Sequence, residues 1–138
     1  MKSYDVISTR ANRIDTPDKA TGKAVFVDDI TLPGMLYGAL LQSPHAHAKI
    51  LSIDTSEAEK MPGVKAVITA KEAGHVKYGV SPARYDETVF AVDRVRYVGD
   101  EIAAVAATSL DVALEAVLRI KVEYEVLPAV SDPVVGMQ

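Results

Sequence analysis

Residues 101–126 read EIAAVAATSLDVALEAVLRIKVEYEV, and three periodicities follow one another within them. Ile102–Ala107 (IAAVAA) is a short, unbroken apolar run built from small side chains, the pattern of a buried strand. In Ser109–Arg119, the residues Leu110, Ala113, Leu114, Val117 and Leu118 recur at i, i+3, i+4, i+7, i+8, which predicts a helix with one apolar stripe. Thr108 or Ser109 supplies its N-terminal cap, and Thr108 and Asp111 stand at capping-box spacing. Ile120–Val126 alternates strictly: Ile120, Val122, Tyr124 and Val126 face inward, and Lys121, Glu123 and Glu125 face outward. Strand, helix and strand in immediate succession define a domain of mixed secondary structure.

Upstream, the same grammar repeats less cleanly. Met1–Thr21 is polar, with Arg10, Arg13, Asp15, Asp18 and Lys19 scattered through it, and reads as an extended leader held by Val6, Ile7 and Ile14. Thr21-Gly22 marks a turn, and Ala24–Val27 (AVFV) is a short strand candidate. Asp28-Asp29 and Pro33-Gly34 punctuate a loop. Met35–Gln42 (MLYGALLQ) reads as a largely buried strand in which Gly38 signals a close backbone approach or a bulge. Ser43-Pro44 breaks it. His47–Asp54 (HAKILSID) follows as a strand with Ala48, Ile50 and Ser52 on one face and Lys49, Leu51 and Ile53 on the other. Neither face is cleanly polar, so both are expected to be covered. Asp54 or Thr55 opens a helix through Met61, with Asp54 and Glu57 at capping-box spacing, and Pro62-Gly63 stops it. Val64–Thr69 is a strand and Ala70–Gly74 one further helical turn. His75–Glu87 keeps no period and reads as a long surface loop. Val95–Val98 is a short strand, Gly99-Asp100 a turn, and Leu127-Pro128 ends the last strand ahead of a tail.

The chain is therefore an α/β or α+β domain with one core. Short hairpin-type links beside helical crossovers favour a mixed sheet. Its 138 residues carry 49% hydrophobic and 25% charged side chains, ordinary globular proportions. With no cysteine, disulfides, thiolate metal sites and cysteine nucleophiles are excluded from it. Lys and Arg number 15 against 19 Asp and Glu, net charge −4, with no basic cluster and no tryptophan. That argues against a nucleic-acid partner. No apolar run approaches the roughly 18 residues of a membrane span. The first residues show no apolar core of a signal peptide, so the expected location is cytoplasmic.

Few residues invite a chemical reading. His45 and His47 in SPHAHA, at i and i+2 of an extended segment, point the same way and could share a metal. The remaining histidine, His75, lies in the irregular loop, and the alternative is that His45 caps or packs at the turn. Asp28-Asp29 and Asp100-Glu101 are acidic pairs that suit acid–base work or a cation, or ordinary turn chemistry. No nucleophile elbow and no Ser-x-x-Lys occurs. Both phosphate-binding glycine patterns are missing, Gly99 being a lone turn glycine and Gly34 and Gly38 belonging to a strand context. Tyr78, Arg84 and Tyr85 in the Lys77–Glu87 loop are residue types enriched at interfaces.

The ordered motifs TG-A from Thr21, PGMLYGA (33–39), SPHAHAKI (43–50), IDTSEA (53–58), MPGVKAV (61–67), VRYVGD (95–100) and VEYEVLP (122–128) cover nearly the whole chain. Together they resemble the N-terminal a/b hammerhead domain of the molybdenum hydroxylase large subunit, in the xanthine dehydrogenase and aldehyde oxidoreductase family. The segment YGVSPARYDETVFAVDRVRYVGDEIAAVAA (78–107) is most similar to the 4-hydroxybenzoyl-CoA reductase α-subunit branch. Phe26 stands where the family usually has tyrosine, and Gln42 where it often has arginine.

The resemblance implies an α+β fold, a mixed sheet with two main helices around a single core. Its domain plan is an extended leader over 1–20, the hammerhead domain over 21–130, and a tail over 131–138 leading toward molybdopterin-binding domains. It implies no catalytic, cofactor-binding or metal residue in this chain, and SPHAHA as a structural motif. Molybdopterin with its molybdenum would belong to the domains that follow, and iron–sulfur clusters and FAD to partner domains or subunits. The expected partners are those C-terminal domains and the iron–sulfur and flavin subunits, with no nucleic acid and no membrane. The chain alone is expected to be inactive and to self-associate when isolated. Two other classes stand beside this reading: a free-standing interaction module derived from the family, and a small hydrolase or metal enzyme built on His45, His47 and an acidic partner.

Overall fold

The computed structural model describes residues 12–81 and 85–137. The chain divides into two compact units, Met1–Pro33 and Gly34–Gln138.

In the first unit, α1 is Thr16–Ala20. The extended leader expected over 1–20 is thus helical in its last turn. Pro17 sits in the first turn, where its missing N–H costs nothing, and Asp15 binds Lys19 across one turn at 2.7 Å. Ile14 is 97% exposed and anchors nothing; Val6 and Ile7 lie outside the described residues. The strand expected at Ala24–Val27 is absent. The Asp29 carboxylate accepts the Phe26 N–H at 2.9 Å, and the chain turns into a 3-10 helix over Val27–Asp29. A short apolar run becomes a strand only where a neighbour completes its hydrogen bonds, and among the described residues no strand pairs with this one.

The second unit holds β1 (Tyr37–Gln42), β2 (Ala48–Asp54), α2 (Ser56–Glu59), β3 (Val64–Thr69), α3 (Ala70–Ala73), β4 (Arg94–Val95), β5 (Glu101–Ala107), α4 (Leu110–Val117) and β6 (Lys121–Val126). The α+β class is as expected. The strands form two three-stranded sheets rather than one mixed sheet, with orders β1-β5-β3 and β4-β2-β6, and every described pairing is antiparallel. β5 is the central strand of its sheet, paired along both edges with β1 and β3.

The core is continuous. One buried cluster centres on Ala103, Val105, Ala107, Ala113, Ala116 and Ile120, the other on Ala48, Ala91, Val95 and Ile102. Leu41, Ile53 and Val122 pack against both. Ile102, Val95 and Val105 are the largest fully buried side chains, each worth about 1.5–3 kcal/mol of transfer free energy.

Three local readings change. First, the buried face of α4 is Ala113, Ala116 and Val117, with Val112 half-buried, whereas Leu110, Leu114 and Leu118 are exposed. The helix lies close over the alanines of β5, and alanine faces alanine there, because leucine at those positions would hold the two apart. The cap is Ser109, whose Oγ accepts the Val112 N–H. Second, a bulge between Ile50 and Ser52 inserts Leu51 and reverses the alternation of β2. Ile53 thereby joins Ala48 and Ile50 inside, and Ser52 turns outward to meet Glu123 at 2.8 Å. Third, Val126 is exposed although it belongs to the inward-facing set of β6.

Caps explain the short helices. The α3 turn is a capping box: Thr69 Oγ1 accepts the Lys71 N–H, while Glu72 Oε2 accepts both the Thr69 N–H and its hydroxyl. Before α2, Asp54 accepts from Ser56 rather than pairing with Glu57. The strand expected over Val95–Val98 stops at Val95, since the Asp100 carboxylate takes the Arg96 N–H at 2.9 Å.

Candidate functional site

Most of the described residues that invited a chemical reading make contacts within the fold around them. Ser43 is 2% exposed. Its Oγ donates to the His45 carbonyl and accepts the His45 N–H, at 2.9 and 3.0 Å. Its backbone clasps the Gly99-Asp100 turn, Ser43 N–H to Asp100 O and Gly99 N–H to Ser43 O, both 2.9 Å. The His45 ring meets Tyr124 edge-on, centroids 4.8 Å apart. His47 Nδ1 lies 2.9 Å from the Pro128 carbonyl, and the His47 carbonyl accepts the Leu127 N–H. The two imidazoles thus tie the β1–β2 turn to β6 and the segment after it. His75 is exposed beyond α3.

Of the two acidic pairs, Asp29, Asp100 and Glu101 accept local hydrogen bonds at turns. Asp29 receives Phe26, Asp100 receives Arg96, and Glu101 receives the Tyr97 hydroxyl at 3.4 Å. Partial burial, and then the charges of Asp100 and Glu101, push the Tyr97 phenol above its ordinary pKa. Burial alone raises that of Tyr124.

The long loop is held by a two-way backbone bridge between Tyr78 and Glu87. Beside it lies a cavity of ≈ 500 Å³ where Asp86, Glu87, Asp100 and Glu101 face Lys77 and Arg96. Four carboxylates against two cations leave this solvated rim net acidic. Tyr78 and Tyr85 are exposed in this loop, while Arg84 lies outside the described residues.

A molybdopterin would need backbone N–H cradles or unpaired buried donors for its phosphate and pterin edges. Among the described residues, no buried side-chain nitrogen or oxygen lacks a partner. No cluster of three or more His, Cys, Asp or Glu there could hold a metal. The left-handed glycines Gly22, Gly34, Gly63, Gly74 and Gly99 each stand alone in a separate turn. The described residues do not fit the group.

What the described residues leave open is apolar surface. Leu110, Leu114 and Leu118 form one ridge on α4, and Leu40 and Ile68 stand out from the β1-β5-β3 sheet. The signal was present in IAAVAA, whose two alternating faces are both apolar.

Fold and site together define a small α+β domain in which the buried side-chain polar atoms of the described residues all have hydrogen-bond partners. The family model of the aldehyde oxidase and xanthine dehydrogenase a/b hammerhead domain matches residues 21–128, and the chain belongs to that family. It is 45% identical over 122 residues to a probable xanthine dehydrogenase subunit from Bacillus subtilis, covering 88% of this chain and 16% of that protein. It is 39% identical over 131 residues to the carbon monoxide dehydrogenase large chain of Afipia carboxidovorans, covering 94% and 16%. Among solved structures, quinoline 2-oxidoreductase from Pseudomonas putida 86 superposes with a TM-score of 0.85 at 33% identity, covering 94% of this chain and 17% of that one. The chain thus spans about a sixth of the length of these relatives.

Proposed function

We propose that this chain is the hammerhead domain of the large subunit of a molybdopterin-dependent oxidoreductase, a packing element and not the seat of the chemistry. The family match across residues 21–128 carries the reading. Buried side-chain polar atoms that all have partners among the described residues, and apolar faces turned outward, support it. In this reading molybdopterin is held by other domains of the same subunit, and electrons pass through iron–sulfur and flavin partners. The location is cytoplasmic, in keeping with a cysteine-free, acidic chain. The parent reaction is hydroxylation of an aldehyde or N-heterocycle with water. The similarity of residues 78–107 to the 4-hydroxybenzoyl-CoA reductase branch supports the alternative parent reaction, reductive dehydroxylation of an aromatic thioester.

The test is purification of the tagged protein from its own cell, with molybdenum, iron and flavin measured on the eluate and on the 138-residue chain alone. Molybdenum is expected with the native assembly and absent from the chain alone. Stoichiometric molybdenum on the isolated chain, or none on the native assembly, would overturn the reading.

A further inference from the structure

The two faces of the β1-β5-β3 sheet are both apolar, yet α4 packs on only one of them. On the α4 side the rows across the strands are Ala39–Val105–Val67 and Leu41–Ala103–Thr69. On the other side they are Gly38–Ala106–Ala66 and Leu40–Ala104–Ile68. Not one of those six outer residues is polar. Leu40 is 52% exposed and Ile68 41%. The β4-β2-β6 sheet shows how an antiparallel sheet treats water: its outer face pairs Lys49 with Glu125 at 3.1 Å and Ser52 with Glu123 at 2.8 Å. An antiparallel sheet apolar on both faces belongs in the middle of three layers.

The shape of the outer face selects its cover. Ala104 and Ala106 on the central strand form a floor, and Leu40 and Ile68 rise on the two flanking strands. Strands two apart are about 10 Å from each other, the width of an α-helix with small side chains. The inner face shows what such a floor accepts, because α4 lies there on Ala103 and Ala107 through its own Ala113 and Ala116.

The area selects where that helix comes from. Two rows on three strands span on the order of 150 Å², against about 800 Å² per partner in a stable free-standing interface. A patch this small holds a segment only when a tether raises its local concentration. Proteins of this family continue for several times the length of this chain. The geometry points to the trough between Leu40 and Ile68 as the seat of an apolar, small-residue helix face from elsewhere in the same polypeptide, an assignment that rests on the hammerhead reading above.

Hydroxyl-radical footprinting tests it on the native polypeptide and on the 138-residue chain, with exposed Leu51 as the reference. Labelling of Leu40 and Ile68 is expected to fall several-fold in the native polypeptide. Ala106→Lys, which blocks the floor, is expected to restore that labelling while leaving the melting midpoint of the 138-residue chain unchanged. Equal labelling in both forms overturns the assignment. So does protection that vanishes when other subunits are stripped from an intact large polypeptide, or a dimer of the 138-residue chain that buries both residues as fully. Molybdenum measured on the same sample separates the two failures: molybdenum present with Leu40 and Ile68 fully labelled overturns the trough alone, and molybdenum absent overturns the functional reading.

Discussion

The Gly63 carbonyl accepts the Thr108 N–H at 2.9 Å, and a Cβ placed on Gly63 would stand 2.9 Å from Thr108 Oγ1 and 3.3 Å from Val112 Cγ1. The turn that stops α2 is thereby pressed against the start of α4. Gly63 also has φ +95°, in the left-handed region. Gly63→Ala should lose the backbone freedom and the close approach together, about 2–4 kcal/mol. Gly99 has φ +97° with nothing within 4 Å of its would-be Cβ, so Gly99→Ala should cost only about 1–2 kcal/mol. Urea unfolding of both variants measures the difference; equal losses would mean that contact with Thr108 contributes nothing.

The offset face of α4 makes an opposing pair of predictions. Ala116 is fully buried and Leu118 is 83% exposed. Ala116→Leu should destabilise by about 1–3 kcal/mol through overpacking against β5. Leu118→Lys should leave stability within about 0.5 kcal/mol. Thermal melts in which Leu118→Lys is the more damaging would restore the leucine stripe as the core face.

Ser43 joins the two turns at the top of both sheets. Ser43→Ala removes a hydroxyl that donates to and accepts from the His45 backbone in a buried setting. A loss of about 1–3 kcal/mol is expected. The His45–Tyr124 contact should loosen with it, seen as a shift of the His45 ring resonances in the NMR spectrum. A variant as stable as the parent would show that water replaces the hydroxyl at no cost.

Acid should release the α3 cap. Hydrogen bonds from Thr69, its hydroxyl first and then its N–H, hold the Glu72 carboxyl below its ordinary pKa. A carboxylate depressed in the folded state adds stability above its unfolded pKa, near 4.3. That stability fades as the pH falls through the folded value. Asp54, held down by Ser56, titrates with the same sign. The parent chain should therefore lose stability below about pH 4.3 more steeply than Glu72→Gln, which carries no charge to lose. Parallel slopes between pH 6 and pH 3 for the two proteins would rule out the cap as a contributor.

Legibility along the chain followed the range of the forces involved. IKVEYEV declares a strand because its alternation is complete within the segment, and TSLDVALEAVL declares a helix for the same reason. PGMLYGA, SPHAHAKI and VRYVGD carried the family, since several motifs in fixed order leave little room for coincidence. The β2 bulge was not visible, because inserting Leu51 depends on the register with β6. AVFV had strand composition, but whether a neighbour offers it a ladder is no property of those four residues, and no described strand does.

Local chemistry, written in the order of side chains, settled most of the elements from Met35 onward, the absence of thiol chemistry and the membership of the hammerhead family. Which face of α4 is buried, how the strands divide between two antiparallel sheets, and that the Leu40–Ala104–Ile68 row stands uncovered by α4 came from packing. Those outcomes depend on residues far apart in the chain competing for the same few ångströms, and close approach rewards alanine over leucine at the centre. Periodicity reports that a face is apolar; only contact between distant segments decides what it meets.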